Sequence, residues 1–180
     1  MLKLVASDDQ RDYARTFLSE GSVANRGSFD GDQLKQLFGM IGQVLICDLL
    51  AHERPKNLKG FDGGSDLLWN GLRWDVKCLI GTTPWKARTH AQNLHARQIG
   101  YACDGYIFLH YDSAKGEYTL CGYILKHDFL NNALFFKEGA ARPRSDGSSM
   151  IVKNGGMYEI KGSKLKQFKK EELHGKHRFI

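Results

Sequence analysis

Apolar residues fall at two different spacings along the chain, and the change of spacing divides it. Over residues 8–20 they recur every three to four positions (Tyr13, Phe17, Leu18), which predicts a short amphipathic helix ending at a Gly21-Ser22 turn. A polar stretch leads to Asp32. From Gln33 to about His52 the same period runs longest, with Asp30 or Asp32 placed to cap it. Its apolar positions (Leu34, Leu37, Phe38, Ile41, Val44, Leu45, Leu49) spread far around the cylinder, so this helix is expected to be central and largely buried. After a glycine-rich stretch (Gly60, Gly63, Gly64) the spacing drops to two. Residues 66–69 and 72–78 flank Asn70-Gly71, a strong two-residue hairpin signal. Beyond it the pattern predicts an irregular segment at 82–88, a helix at 89–101, a strand at 104–111, a Lys115-Gly116 turn and a strand at 118–125. A loop is expected at 138–149, a second hairpin at 151–160 around Asn154-Gly155-Gly156, and a basic helix from Ser163. This order implies a mixed α/β domain, a central mixed sheet flanked by helices.

Length and composition narrow the class without naming a function. A chain of 180 residues suits one domain over 1–180, with its core at about 33–125. At 42% hydrophobic residues and 3 prolines it is globular rather than disordered or collagenous. No apolar run reaches the ~18 residues that cross a bilayer. The most hydrophobic stretch, 44–50, contains Asp48, and the first residues turn acidic at Asp8-Asp9, unlike a secretory leader. An intracellular protein with no membrane partner is expected. Its four separated cysteines (Cys47, Cys78, Cys103, Cys121) then read as reduced, mostly buried thiols. The net charge of +6 is uneven: residues 161–180 carry seven Lys/Arg against Glu171 and Glu172. Such a basic terminus suits a polyanion, because neutralised phosphates release counterions.

The hairpin carries the candidate chemistry. A two-residue Asn70-Gly71 turn pairs Trp69 with Leu72, 68 with 73 and 67 with 74, and sets Asp66 opposite Asp75. Side chains alternate across a sheet, so Leu67, Trp69, Leu72, Trp74 and Val76 share one wholly apolar face. Asp66, Leu68, Arg73, Asp75 and Lys77 share the other. Like charges directly opposite one another destabilise a strand pair. A hard divalent cation offsets that cost, since Mg²⁺ binds through one or two carboxylates plus waters. Lys77 points to the same side, where it can reach a phosphate or a metal-bound water, so the parts of metal-assisted phosphodiester hydrolysis lie on one surface.

Asp66, eight intervening residues and Asp75-Val76-Lys77 resemble the D…(D/E)-x-K signature of the PD-(D/E)XK nucleases, the restriction-endonuclease-like fold. Gly39-Met40-Ile41-Gly42-Gln43 is similar to the Gly-x-x-Gly-Glu helix that many members place before the hairpin, and the strand at 105–109 is similar to their next core strand. The resemblance covers roughly residues 33–125. It implies a Mg²⁺-dependent deoxyribonuclease, with Mn²⁺ able to substitute: Asp66, Asp75 and the Val76 carbonyl bind the ion, and Lys77 positions the attacking water and helps deprotonate it. Two departures are present: Ser65 stands where the family has proline, and Gln43 where it often has Glu. Gln43 can offer a carbonyl oxygen but no charge, so one tightly bound ion is expected, with any second ion weak or brought by the substrate. A lysine beside a bound divalent ion is expected to lose its proton more easily.

Other residues are candidate contacts to DNA. Lys86 and Arg88 follow the Lys77 strand, with Trp85 available to stack on a base, and Arg142 and Arg144 could clamp a backbone. Lys166, Lys169 and Lys170 supply the basic tail, and Gln98 and Tyr101 could approach the site. His90 and His95 are five apart and do not share a helix face, His174 and His177 read as tail residues, and Cys78 should point to the apolar face. The glycines at 60, 63 and 64 lack the lysine of a P-loop and open no helix, so no nucleotide cofactor is expected. No Ser/His/Asp elbow is present. Cutting both strands with one site per chain favours a homodimer. The competing readings are a non-catalytic nucleic-acid-binding or accessory module, prompted by Gln43, and a structure-specific resolvase or exonuclease.

Overall fold

The computed structural model describes residues 2–20, 33–56, 64–144 and 147–174. The Gly21-Ser22 turn, Asp30, Asp32, Gly60, Gly63, Asp146, Lys176, His177 and Arg178 lie outside the described residues. Helix α1 (Asp8–Ser19) begins at a reciprocal cap: the Gln10 N–H donates to Ser7 Oγ at 3.2 Å and the Ser7 N–H to Gln10 Oε1 at 2.9 Å. Its buried line is Gln10 and Ala14, while the expected apolar side (Tyr13, Phe17, Leu18) is half-buried. Helix α2 (Gln33–Leu49) is central as expected, burying Ile41, Gly42, Val44, Leu45, Ile46, Cys47 and Leu49. Gly42 permits its close seat on the sheet, because a Cβ there would lie 2.9 Å from the Leu109 side chain.

The Arg54 guanidinium clasps the two helices, donating to Asp48 Oδ1 and Oδ2 and to Asp9 Oδ2, each at 2.7 Å. The Gln10 amide also reaches Asp48 at 2.7 Å, and the Tyr13 ring lies under the guanidinium at 5.1 Å. Arg54→Ala leaves the half-buried Asp48 carboxylate without its main counter-charge. We expect a loss of about 1–2 kcal/mol in urea unfolding, seen as a lower midpoint with an unchanged slope.

A five-stranded sheet follows the order β1 (Leu2–Leu4), β6 (Glu117–Leu125), β5 (Gly105–Asp112), β3 (Leu72–Gly81), β2 (Leu67–Trp69). The β3–β5 pair is parallel and the others antiparallel, so the sheet is mixed. Its two faces bury separate cores. α1 and α2 cover one face, with Leu45, Leu49, Trp74, Ile107, Leu109 and Tyr118 between them. The other face, through Tyr106, Phe108 and Ile124, meets a second layer. That layer holds β4 (Ala91–His95), β10 (Met157–Lys161) and β7 (Leu134–Phe136), a three-stranded sheet, and the short helix α3 (Lys126–Asn132). The described structure is therefore mixed α/β.

The second layer is where the structure departs from the expected elements. The helix expected at 89–101 is β4 followed by a 3₁₀ turn at Ala96–Gly100. Gln92 and Leu94 are both buried, two apart, and only a strand places such residues on one side. The hairpin expected at 151–160 does not form. Asn154, Gly155 and Gly156 all have positive φ (61°, 87° and 106°) and redirect the chain instead of closing a two-residue turn. The strand before them, β9 (Ser149–Ile151), pairs with β8 (Ala141–Pro143), inside the stretch expected to be a loop, while β10 pairs with β4 and β7. Nor do the described residues of the tail, as far as His174, form an α-helix from Ser163. Beyond the 3₁₀ turn at Gly162–Lys164 it runs as a strap with one more such turn at Lys170–Glu172. Leu165 is buried in the second core, Phe168 packs on Trp69 and Tyr123 at ring distances of 5.2 and 4.7 Å, and the His174 N–H reaches the Leu49 carbonyl at 2.9 Å. An extended path suits these anchors, which lie on both sides of the sheet.

Candidate functional site

The local fold of the hairpin follows from its turn. Asn70 (φ 51°) and Gly71 (φ 74°) both adopt the left-handed conformation a tight two-residue turn requires. The pairing is Trp69 with Leu72, Leu68 with Arg73 and Leu67 with Trp74, the register the sequence implies. Leu67 and Trp74 are buried, and Trp69, Leu72, Val76 and Cys78 pack against the same core, so the apolar face and the orientation of Cys78 are as expected. The Trp74 indole N–H donates to the Trp69 carbonyl at 3.0 Å and ties the two strands together.

The ladder ends at Leu67 and Trp74, so Asp66 is not a paired residue facing Asp75. Its N–H donates to the Trp74 carbonyl at 2.8 Å, and its Oδ2 accepts the Val76 N–H at 2.6 Å. The Asp66 carboxylate therefore closes the edge of β3 just where β2 gives out. Within a strand, the N–H and C=O of one residue leave toward the same edge. The Val76 carbonyl accordingly opens to the edge that Asp66 occupies. Asp75 projects from the face of the sheet that meets the second core and is only 2% exposed. The Lys77 Nζ stands 2.8 Å from Asp75 Oδ1, with its side chain 23% exposed. Asp75, Val76 and Lys77 lie in the middle of β3, and Asp66 joins them there through the Val76 N–H.

The second layer supplies neighbours that the sequence pattern did not reveal. Tyr106 and Phe108 on β5 lie in parallel register with Asp75 and Lys77. Cys103 is buried beside them, its thiol pushed up first by burial and then by the Asp75 charge. Burial likewise pushes the Tyr106 phenol up. On the α2 side, Cys47 is pushed up to about 12, first by burial and then by Asp66. For Lys77 the largest influence is burial, which disfavours its charge, but Asp75 and Asp66 together outweigh it and hold the ammonium above its ordinary range.

No family model, curated protein or solved structure matches the chain. The site is therefore judged on its own chemistry. Among the described residues, no three His, Cys, Asp or Glu side chains are gathered to hold a metal ion. An ion here would rest on two carboxylates, a strand carbonyl and water. That donor set is all oxygen, and it suits Mg²⁺ or Mn²⁺, which keep several waters and take few protein ligands, better than Zn²⁺.

The remaining candidates are spread around the fold. Gln43, half-buried on α2, is hydrogen-bonded to none of Asp66, Asp75 and Lys77. The Tyr101 side chain packs on Gly64, two residues before Asp66: a Cβ at Gly64 would lie 2.5 Å from Tyr101 Cβ and 2.6 Å from its ring. Gln98 instead accepts the His95 N–H at 3.2 Å. Lys86 and Arg88 are exposed beyond Gly81, whose six-residue separation from Asp75 along β3 is roughly 20 Å. Trp85 is 4% exposed and stacks on His90 at 5.4 Å, so it presents no face to a base. Arg142 is paired with Glu159, and Arg144 is exposed at the end of β8. Lys166 lies 3.5 Å from Asp128, while Lys169 and Lys170 are exposed on the strap. Phe168 of this strap packs on Trp69, which lies in β2 with the hairpin.

Proposed function

We propose that the protein is a metal-dependent nuclease that hydrolyses phosphodiester bonds in DNA as an endonuclease, on a restriction-endonuclease-like core. The observation that carries this reading is the gathering of Asp66, Asp75 and Lys77 about the middle of β3, with the Lys77 ammonium 2.8 Å from the Asp75 carboxylate. Asp66, Asp75 and the Val76 carbonyl would hold Mg²⁺ or Mn²⁺, which supplies Lewis acidity toward a phosphoryl oxygen. Lys77 would hold the attacking water in line and help deprotonate it, its own proton having passed to solvent as the ion's charge lowers its affinity. Burial of Asp75 keeps that carboxylate in one orientation, and the Asp66–Val76 bond fixes the strand edge. The exposed cations Lys169 and Lys170 would contact the phosphate backbone, and Lys86, Arg88 and Arg144 would meet a bound duplex further along. The setting is intracellular, and a homodimer would bring two sites to the two strands.

The test is incubation of the protein with end-labelled single-stranded, double-stranded and branched DNA in Mg²⁺ or Mn²⁺. Internal cuts that stop on chelation are expected. Intact DNA under every ion, with a mobility shift retained, selects the second reading, a DNA-binding or accessory module. One observation favours that alternative: the Lys77 ammonium lies 2.8 Å from Asp75 Oδ1, so the pair offsets its own charge. Products released only from ends or junctions select an exonuclease or resolvase.

A further inference from the structure

The Asp75 carboxylate is almost fully enclosed, and a buried anion is tolerated only with a counter-charge. Its Oδ1 lies 2.8 Å from the Lys77 ammonium. Asp66, on the neighbouring edge, adds a second negative group whose field reaches the same ammonium. Lys77 is the less enclosed partner, 23% exposed against 2% for the Asp75 side chain. The ammonium itself is enclosed, but the long lysine stem has rotatable bonds that the short Asp75 side chain lacks, so in an exchange it is Lys77 that moves.

We infer that Lys77 is an internal competitor for the cation site: its ammonium balances Asp75 when no ion is present and must leave that contact before Asp75 can ligate one. The inference rests on the nuclease reading for the site's purpose, but it concerns ion affinity rather than cleavage. Ion uptake and release of Lys77 are then a single exchange, which frees the ammonium to hold the water at the moment the ion arrives. It also makes the resting protein a weak metal binder. Lys77→Met keeps the stem and removes the competing charge, and Lys77→Gln is a second variant with a neutral polar head.

The experiment titrates MnCl₂ alone, with no DNA, into wild type, K77M and K77Q by calorimetry and by Mn²⁺ electron paramagnetic resonance. Melting curves with and without the ion are recorded in parallel. Both variants are expected to bind Mn²⁺ at least about tenfold more tightly than wild type. Each is also expected to melt lower than wild type without the ion and to gain more from adding it, since tighter binding to the native state raises stability further. Equal or weaker affinity in both variants overturns the inference, as does failure of all three proteins to bind. If only one variant folds, its affinity decides. Cleavage by wild type in Mn²⁺ is scored separately: a wild type that cuts, with variants that bind no more tightly, sinks the exchange and spares the nuclease. Variants that bind more tightly, with a wild type that never cuts, do the reverse.

Discussion

Asp75→Asn is expected to lower cleavage of duplex DNA by at least roughly 10²–10³-fold in kcat/KM, the scale on which a single electrostatic group at a reacting centre acts. The variant keeps the shape of the side chain, and its amide oxygen can still accept from Lys77, so folding is expected to survive. Affinity for DNA should stay within about threefold of wild type, because on the proposed reading the phosphate contacts that dominate affinity would be made by exposed cations and not by this buried residue. Asp66→Asn is the informative companion. Its amide oxygen can still accept the Val76 N–H, which keeps the edge of β3 closed while the charge is removed. A comparable loss of cleavage with unchanged circular dichroism separates the charge of Asp66 from its structural bond. Steady-state cleavage and filter binding on the same preparations make the comparison. A D75N protein that cuts like wild type would place the chemistry elsewhere.

How much of this was legible before the structure depended on whether the signal was local. The hairpin was, because an Asn-Gly turn fixes the register of its neighbours residue by residue, and the apolar face of Leu67, Trp69, Leu72 and Trp74 followed from alternation alone. The end of the ladder was not. Whether Asp66 pairs or caps the edge is decided by the short reach of β2, and the result is a carboxylate on a backbone N–H instead of two carboxylates face to face.

Neighbours from distant strands were beyond reach for a different reason. The parallel register that sets Tyr106 beside Asp75 is fixed by packing across an intervening segment, and no turn chemistry encodes it. The stretch at 89–101 reads as a helix because its residues mix apolar and polar types without strict alternation. Its burial of Gln92, an amide within hydrogen-bonding distance of the Leu109 carbonyl and the Cys121 sulfur, makes a polar residue part of the inward period. Trp85 misled in the same way. A tryptophan just ahead of two cations resembles a base-stacking platform, yet the second core, absent from any local pattern, buries it. The basic tail was visible as charge, but its extended course depends on Gly122. Its φ of 131° is rarely adopted by other residues, and a Cβ there would lie 2.4 Å from the Lys166 carbonyl.

The packing behind the hairpin supplies the second large effect, at Gly105 on β5. A Cβ at this position would lie 2.3 Å from Trp74 Cζ3 and 2.9 Å from the Ile124 carbonyl oxygen. Both obstacles are rigid: one is a large ring 2% exposed in the first core, and the other is backbone of a paired strand. Relief would require Trp74 to tilt out of its seat, where it also meets Tyr123 edge-on at 5.5 Å and donates to the Trp69 carbonyl. Gly105→Ala is therefore expected to cost about 3 kcal/mol, at the upper end of overpacking penalties, and to lower Tm by about 6–12 °C for a domain of this size. Gly100→Ala is the matched control, since nothing stands within 4 Å of its Cβ and its φ is not positive, and it should melt close to wild type. Because Trp74 adjoins Asp75 and anchors the hairpin, the G105A protein that remains folded should also cut more slowly per molecule at low temperature. Thermal circular dichroism and cleavage at 15 °C read the two effects apart. An alanine tolerated at 105 as easily as at 100 would mean that the Trp74 ring does not lie over β5, and the hairpin would lose the support that holds its carboxylates in place.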